Sequence, residues 1–335
     1  MIAHRDLWGP AVAGRRFVIV GGAGFIGSHF TDTLLGDPNV AGVTLYDNFT
    51  SGRRWHFEQH QGDDRLAVVE ADVKDGGALR AALDGHDVVI HLASNPDIAR
   101  AVTEPDIDFY EGTFLTNQVV EAMRVTSPKR LLYASGSGVY GDLGEMPAPE
   151  DHGPLRPVST YGASKLAGEA LLMAYCFMFG LTARAFRFGN VVGPRQTHGV
   201  GFDFVRRLLA DPSTLQILGD GLQSKSYIHV DDVVAAVLVA NAAPEPEYAV
   251  YNVATGDYVT VREIADLAVE CVGLEPEPSR FQYTGGDRGW KGDVPIVRLQ
   301  TERIQSLGWR CQRSTREALA ASLSSMLSDA TAGRL

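Results

Sequence analysis

The sequence predicts an α/β protein built on a doubly wound parallel sheet, and three observations carry that prediction. Short apolar strands alternate with helical patterns through the first half of the chain. A glycine-rich turn joins the first strand to its helix. Acidic or small polar residues stand repeatedly at strand ends. Strands alternating with helices pair in parallel and take helices on both faces, and such sheets bind ligands beyond the carboxyl ends of their strands.

The elements follow in order. Arg16 to Val20 is an apolar strand that ends in Gly21-Gly22-Ala23-Gly24-Phe25-Ile26-Gly27, and a helical pattern runs from there through Leu35. Glycines let the backbone turn tightly and approach a pyrophosphate, which rests on the helix N-terminus. A second strand, Val43 to Tyr46, ends in Asp47, 26 residues after Gly21. An acid there accepts hydrogen bonds from an adenosine ribose and repels a 2′-phosphate, which favours NAD over NADP; Arg53 and Arg54 nearby keep NADP open. The alternation continues with a strand at Leu66 to Glu70 before Asp72-Val73 and a helix at Gly76 to Leu83. A strand at Asp87 to His91 precedes Leu92-Ala93-Ser94, and a long helix lies within Pro105 to Thr126. The remaining strands are Arg130 to Ala134 and Ala183 to Phe188, separated by a helix ending near Phe179.

Bulk composition bounds the function. The chain has 335 residues, is 45% hydrophobic and carries a net charge of -11, which is enough for a large core. It lacks the basic stripe of a nucleic-acid binder, with no Lys/Arg run longer than two. Cys176, Cys271 and Cys311 are widely spaced and lack a metal spacing, so they read as reduced thiols of a cytoplasmic protein. Met1 to Arg16 reads as neither a signal peptide nor a lipidation signal, and Val233 to Ala240 is too short to span a bilayer. His91 and His229 read as core residues rather than metal ligands, so no metal site is expected.

The chemistry centres on Tyr161-Gly162-Ala163-Ser164-Lys165. Tyr and Lys four apart share one helix face. An ammonium beside a phenol favours the phenolate, so Tyr161 is expected to have a lowered pKa and to act as a general acid or base. The stripe Leu166, Ala170, Leu171, Ala174, Phe177 and Met178 is expected to be a packed face of the same helix.

Taken together, the motifs resemble those of the extended short-chain dehydrogenase/reductases of the nucleotide-sugar epimerase and dehydratase group, and within it the UDP-glucose 4-epimerases most. The resemblance spans nearly the whole chain. It rests on Gly21-x-x-Gly24-x-x-Gly27, Asp47-Asn48, Asp72-Val73, His91-Leu92-Ala93, Val139-Tyr140-Gly141, Tyr161-x-x-x-Lys165, Arg187-x-x-Asn190, Gly219-Asp-Gly221 and Tyr227-Ile-His229-Val-Asp231-Asp232. It implies a Rossmann-type NAD domain over residues 1–190, to which some later segments return, and a smaller α/β lobe over residues 191–335 that binds a nucleotide diphosphate sugar. It also implies that Gly21, Gly24, Phe25, Ile26, Gly27, Asp47, Asn48, Asp72, Val73, Leu92 and Ala93 hold NAD, with Asp72 and Val73 flanking the adenine. Lys165 would reach the nicotinamide ribose and Asn190 the substrate diphosphate. A homodimer seam along the Tyr161 helix is a further implication.

Departures from the group's pattern shape the rest. Where relatives place Ser or Thr three residues before the Val of Val-Tyr-Gly, this chain has Gly136, flanked by Ser135 and Ser137. One of them, Ser137 by preference, is expected to position the reacting oxygen, although both can simply cap the strand end. The acids that dehydratases place before Val-Tyr-Gly are Ser137 and Gly138 here, which favours epimerisation at C4 over dehydration. Lys225 stands where relatives carry Arg, and Arg288, with Lys291 second, is the candidate for a displaced phosphate-binding arginine. The competing readings are another nucleotide-sugar enzyme of the group (dehydratase, 3,5-epimerase or reductase) and a non-catalytic NAD-binding regulator.

Overall fold

The computed structural model describes residues 4–244 and 246–334. Seven strands form the central sheet: β1 (Arg16–Val20), β2 (Gly42–Asp47), β3 (Leu66–Glu70), β4 (Val88–His91), β5 (Arg130–Gly136), β6 (Thr182–Phe188) and β7 (Tyr248–Val253). Their spatial order is β7-β6-β5-β4-β1-β2-β3, and every pairing is parallel. The order reverses between β1 and β4, which opens the crevice above their carboxyl ends.

Alternation along β1 decides what each face packs against. Phe17 and Ile19 face a core shared with α1 (His4–Val12), α2 (Phe25–Leu35) and a later helix, Val230–Ala242. Val18 and Val20 face α3 (Gly76–Leu83), α4 (Leu115–Val125) and α5 (Thr160–Phe179). Helix α1 was not expected from the sequence. Trp8 and Val12 lie one turn apart, are buried, and tie it to the Val230–Ala242 helix; residues 1–3 of the N-terminal stretch lie outside the described part.

Beyond residue 190 the chain divides between two bodies. The helix Val230–Ala242 and strand β7 join the main sheet body. A separate core gathers Phe204, Leu208, Leu215, Ile217, Ile264, Ala268, Leu319 and Leu323 into the smaller lobe. Two of its helices begin with reciprocal caps, Thr260 with Glu263 and Ser314 with Glu317, which satisfy backbone donors at each start.

Helix α5 departs from the sequence expectation. Its buried face is Gly162, Lys165, Gly168, Glu169, Leu172 and Cys176, whereas Ala170, Ala174, Phe177 and Met178 are exposed and Leu166 and Leu171 half-buried. The helix lies too close to β5 for larger side chains. A Cβ at Gly162 would stand 2.5 Å from the Gly138 carbonyl oxygen, and one at Gly168 would overlap the Tyr133 hydroxyl. The long helix expected within Pro105–Thr126 is also modified: its first part, Phe109–Phe114, is a π-helical turn, and α4 proper starts at Leu115.

One buried ion pair fastens α5 to β6. Arg187 donates to both carboxylate oxygens of Glu169, at 3.0 and 2.7 Å, and both side chains are almost fully buried. Arg187 also donates to the Tyr140 hydroxyl at 2.8 Å and the Glu150 carbonyl at 3.1 Å. Removing one partner of a buried pair strands the other charge in a medium that cannot solvate it. Glu169→Ala is therefore expected to cost about 3–5 kcal/mol in urea unfolding, and a loss below about 1 kcal/mol would contradict this account.

Candidate active site

The glycine turn is shaped by close contact. Gly21 has φ +83°, and a Cβ there would lie 2.7 Å from the Ala93 nitrogen. That contact holds the β1 turn against the end of β4, where Leu92 and Ala93 both donate backbone hydrogen bonds to the Val20 carbonyl. Helix α2 starts at Gly24 without a side-chain cap, so the amides of Phe25, Ile26 and Gly27 are offered at a positive helix end, as an anionic diphosphate needs.

Asp47 is fixed beside this turn. Its carboxylate accepts from the Ala23 nitrogen at 2.9 Å and the Phe49 nitrogen at 2.8 Å. Burial pushes its pKa up, and those two amides oppose the rise. Asn48 donates to Asp72 at 2.9 Å, which joins the two residues expected at the adenine end, and Val73 is buried behind them. Arg54 is paired with Glu70 and stacked on the Phe49 ring, and Arg53 donates to the Gly52 carbonyl. Neither arginine is held ready for a 2′-phosphate. The residues present fit NAD.

Tyr161 and Lys165 lie on the first turns of α5, which Ser159 caps by accepting from the Gly162 nitrogen at 3.1 Å. The Lys165 ammonium donates to the Ala134 carbonyl at 2.8 Å and lies over the Tyr133 and Tyr161 rings, 5.3 and 5.4 Å from their centroids. The expected lowering of the Tyr161 pKa is not what the structure gives. Burial pushes Tyr161 up to about 12, a hydrogen bond with Ser94 opposes this, and the charge of Asp108 adds to it. Burial pulls Lys165 down to about 8, with Asp108 opposing. The physical reason for the reversal is desolvation: the lysine meets the face of the phenol ring and donates a hydrogen bond to a carbonyl, while both charged forms lose water.

The two candidate serines separate. Ser135 lies in phase with Leu131 and Tyr133 on the α5 side of β5, and its hydroxyl donates to Glu169 at 2.5 Å. It belongs to the buried ion-pair network, which corrects its assignment as a catalytic candidate. Ser137 is half-buried in the turn that follows β5. Gly136 itself faces the tyrosine, since a Cβ there would meet Tyr161 Cε1 at 4.0 Å.

The substrate candidates converge from the smaller lobe. Asn190 starts a short strand (Asn190–Val192) paired with Tyr227–His229, and its side chain donates to the Ser226 carbonyl at 3.3 Å. Lys225, next in the chain to Ser226, pairs with Asp293 at 2.6 Å. Arg288 donates to the Asp293 carbonyl and to the Asp142 carboxylate, both at 2.6 Å. Asp142 follows Val139-Tyr140-Gly141 directly, so Arg288 is tied to the segment that leads out of β5. Trp290 closes the same end: a Cβ at Gly292 would lie 2.9 Å from its ring and 3.4 Å from Ser159 Cβ.

Sequence reasoning missed Ser94, Asn95, Asp108 and Thr160. Asp108 is buried and accepts from Asn95 Nδ2 at 2.9 Å and from the Thr160 hydroxyl at 2.6 Å. Two signals were available: Thr160 precedes Tyr161, and Ser94 follows Ala93.

A glycine turn, a strand-end acid and a Tyr-x-x-x-Lys helix gathered over one parallel sheet define the short-chain dehydrogenase/reductase class. The profile of the NAD dependent epimerase/dehydratase family matches residues 17–254, and the chain belongs to that family. The UDP-glucose 4-epimerase of Mycolicibacterium smegmatis is 33% identical over 312 residues, covering 91% of this chain and 96% of that protein. The crystal structure of a UDP-galactose 4-epimerase matches with TM-score 0.83 and 35% identity, over 94% of this chain and 99% of that one. DesIV, a dTDP-glucose 4,6-dehydratase from Streptomyces venezuelae solved with NAD bound, matches with TM-score 0.86 and 28% identity, over 94% and 98%.

Ser135→Ala is expected to destabilise the fold by about 1–3 kcal/mol in urea unfolding, because Glu169 loses a buried donor. Ser137→Ala is expected to stay within about 0.5 kcal/mol of the parent. Equal losses from the two would contradict the separation.

Proposed function

We propose that the protein catalyses reversible inversion at C4 of a nucleotide-linked hexose of the UDP-glucose/UDP-galactose type, through a transient 4-keto sugar. The observation that carries this reading is the catalytic pair Tyr161 and Lys165 set against an uncharged segment, Gly136-Ser137-Gly138. A dehydratase needs proton-handling groups to eliminate water, and this segment supplies no acid. When bound, NAD supplies reversible hydride transfer. Its holders would be the amides of Phe25, Ile26 and Gly27, Asp47 with Asn48 and Asp72 toward the adenosine, and Lys165 at the far ribose.

Each protein group then has a task. Tyr161 exchanges the proton of the C4 oxygen, as phenolate in the oxidative half and as phenol in the reductive half. Lys165, charged below about pH 8, balances the phenolate as it forms. Ser137 orients the C4 oxygen. Lys225, Arg288 and Asn190 grip the diphosphate while the sugar turns over between half-reactions. The free cysteines fit a reducing compartment, and we assign the protein to the cytoplasm on that ground.

The test is proton NMR of the purified protein with UDP-, dTDP- and GDP-sugars. Anomeric signals of a C4 epimer are expected, and Tyr161→Phe should remove at least about 1,000-fold of the rate, the scale of a lost general acid–base group. A new deoxy-methyl signal would replace this reading with dehydration; net consumption of NADH would replace it with reduction.

The exposed stripe of α5 supports a homodimer. Met173, Phe177 and Met178 are 55%, 89% and 66% exposed on one helix, and apolar clusters of this kind mark association surfaces. Light scattering at micromolar concentration is expected to give twice the chain mass, and Phe177→Glu to shift it toward one chain. A single-chain mass for the parent protein would remove the proposal.

A further inference from the structure

Gly136 has no task in the mechanism above, and its geometry does not call for a glycine. It closes β5 in an extended conformation, φ −162° and ψ 161°, which any residue adopts. A Cβ there would meet Tyr161 Cε1 at 4.0 Å, an ordinary contact. Among the described residues, no other atom beyond its chain neighbours would lie within 4 Å. Gly162, by contrast, is forced by crowding against the Gly138 carbonyl. Glycine in a central strand weakens it, and often marks the close approach of another backbone or of a ligand. No described backbone approaches the Gly136 position, which leaves a ligand.

Side chains on one face of β5 dwindle toward its carboxyl end. Leu132 is buried and Ala134 half-buried, and Gly136, next in the two-residue alternation, carries no side chain. The vacated space faces the reactive end of Tyr161, because Cε1 is the ring carbon next to the one that bears the hydroxyl. It takes at least a methyl group, the size of the missing Cβ. Gly136, Ser137 and Gly138 carry no charge, and the Lys165 ammonium is engaged by the Ala134 carbonyl. A charged group in this space would lose water without gaining a partner from that segment, so the space suits an uncharged one.

We propose that Gly136 determines substrate specificity: the space beside the Tyr161 ring receives an uncharged substituent, larger than a hydroxyl, on a carbon next to the one that reacts. With the C4 oxygen at the Tyr161 hydroxyl, the substituents closest to the ring edge are those of C3 and C5. The substrate class is then a nucleotide-linked hexose whose C3 or C5 branch carries an extra alkyl or acyl group. A side chain at position 136 competes with that group for one volume. A single methylene in a fitted pocket is worth about 10–200-fold in kcat/KM, so one residue here suffices to select between sugars.

This rests on the reading of Tyr161 as the group that meets the C4 oxygen, and the test separates the two. The probes are UDP-glucose and its 3-O-methyl and 6-O-methyl ethers, given to the full-length protein loaded with NAD (the dTDP forms serve if the UDP forms do not bind). The parent should accept one ether within about tenfold of UDP-glucose in kcat/KM, and the ether accepted names the carbon. Gly136→Ser and Gly136→Val should each worsen that ratio by at least about tenfold. Gly136→Ala should unfold in urea at a midpoint no lower than the parent's, as expected of an extended glycine with room for a Cβ. A parent that rejects both ethers by about 100-fold or more, or variants that keep its ratios within about threefold, overturn the proposal. A clearly lower midpoint for Gly136→Ala does the same, since the glycine would then be structural. A preference for UDP-glucuronic acid over both ethers, abolished by Gly136→Ser, overturns the assignment of an uncharged group. If no sugar is turned over, dissociation constants from calorimetry give the same ratios. A selective loss of ether binding in the variants then sustains the pocket and removes the assigned reaction, and turnover of UDP-glucose with unmoved ratios does the reverse.

Discussion

Everything at the catalytic end depends on how closely α5 approaches β5. Glycine faces backbone at Gly162 and Gly138, and Gly168 leaves room for the Tyr133 hydroxyl. At that separation the Lys165 side chain reaches the Ala134 carbonyl, and Glu169 reaches both Ser135 and Arg187. The ion pair is expensive to bury, but its hydrogen bonds run to β5, β6 and the turn after β5, so it fixes position as well as charge. A helix one methyl group farther out would lose each of these contacts together.

Topology does the rest. The glycine turn after β1, Asp47 at the end of β2, Ala93 after β4 and the Ser137 turn after β5 all stand on one edge because the strands run parallel. The smaller lobe is tied across that edge by the short ladder between Asn190–Val192 and Tyr227–His229. Burial then acts on the gathered groups in opposite senses, raising an acid that must become an anion and lowering a base that must become a cation. For Tyr161 and Lys165 burial is the largest influence, and the pair differs from what two residues on an exposed helix would show.

Much of the fold was legible because its signals are local. An apolar run closed by glycine or aspartate marks a buried parallel strand, and six strands were placed to within about two residues of their ends, the usual uncertainty of boundaries. What escaped depends on distance across the chain. Residues 95, 108 and 160 meet only once α5 and the π turn are packed. Helix α5 carries two apolar stripes, and sequence periodicity does not say which faces this chain's own core. Ser135 and Ser137 share the two-residue phase of Leu131 and Tyr133, so alternation does not separate them; the strand's end at Gly136 and the turn that follows do. The pKa directions required burial, which no motif records.

The clamp has a further consequence. Lys225 and Arg288 are both already satisfied by carboxylates, Asp293 and Asp142. These two cations are thus already paired, within a chain whose net charge is -11. An anionic ligand held by these residues, as proposed above, would have to take the two cations from their internal partners. Binding there would be an ion exchange, with affinity set by how much better the incoming anion fits than the aspartates it displaces. Small free anions, which offer charge without shape, are held poorly by such an arrangement.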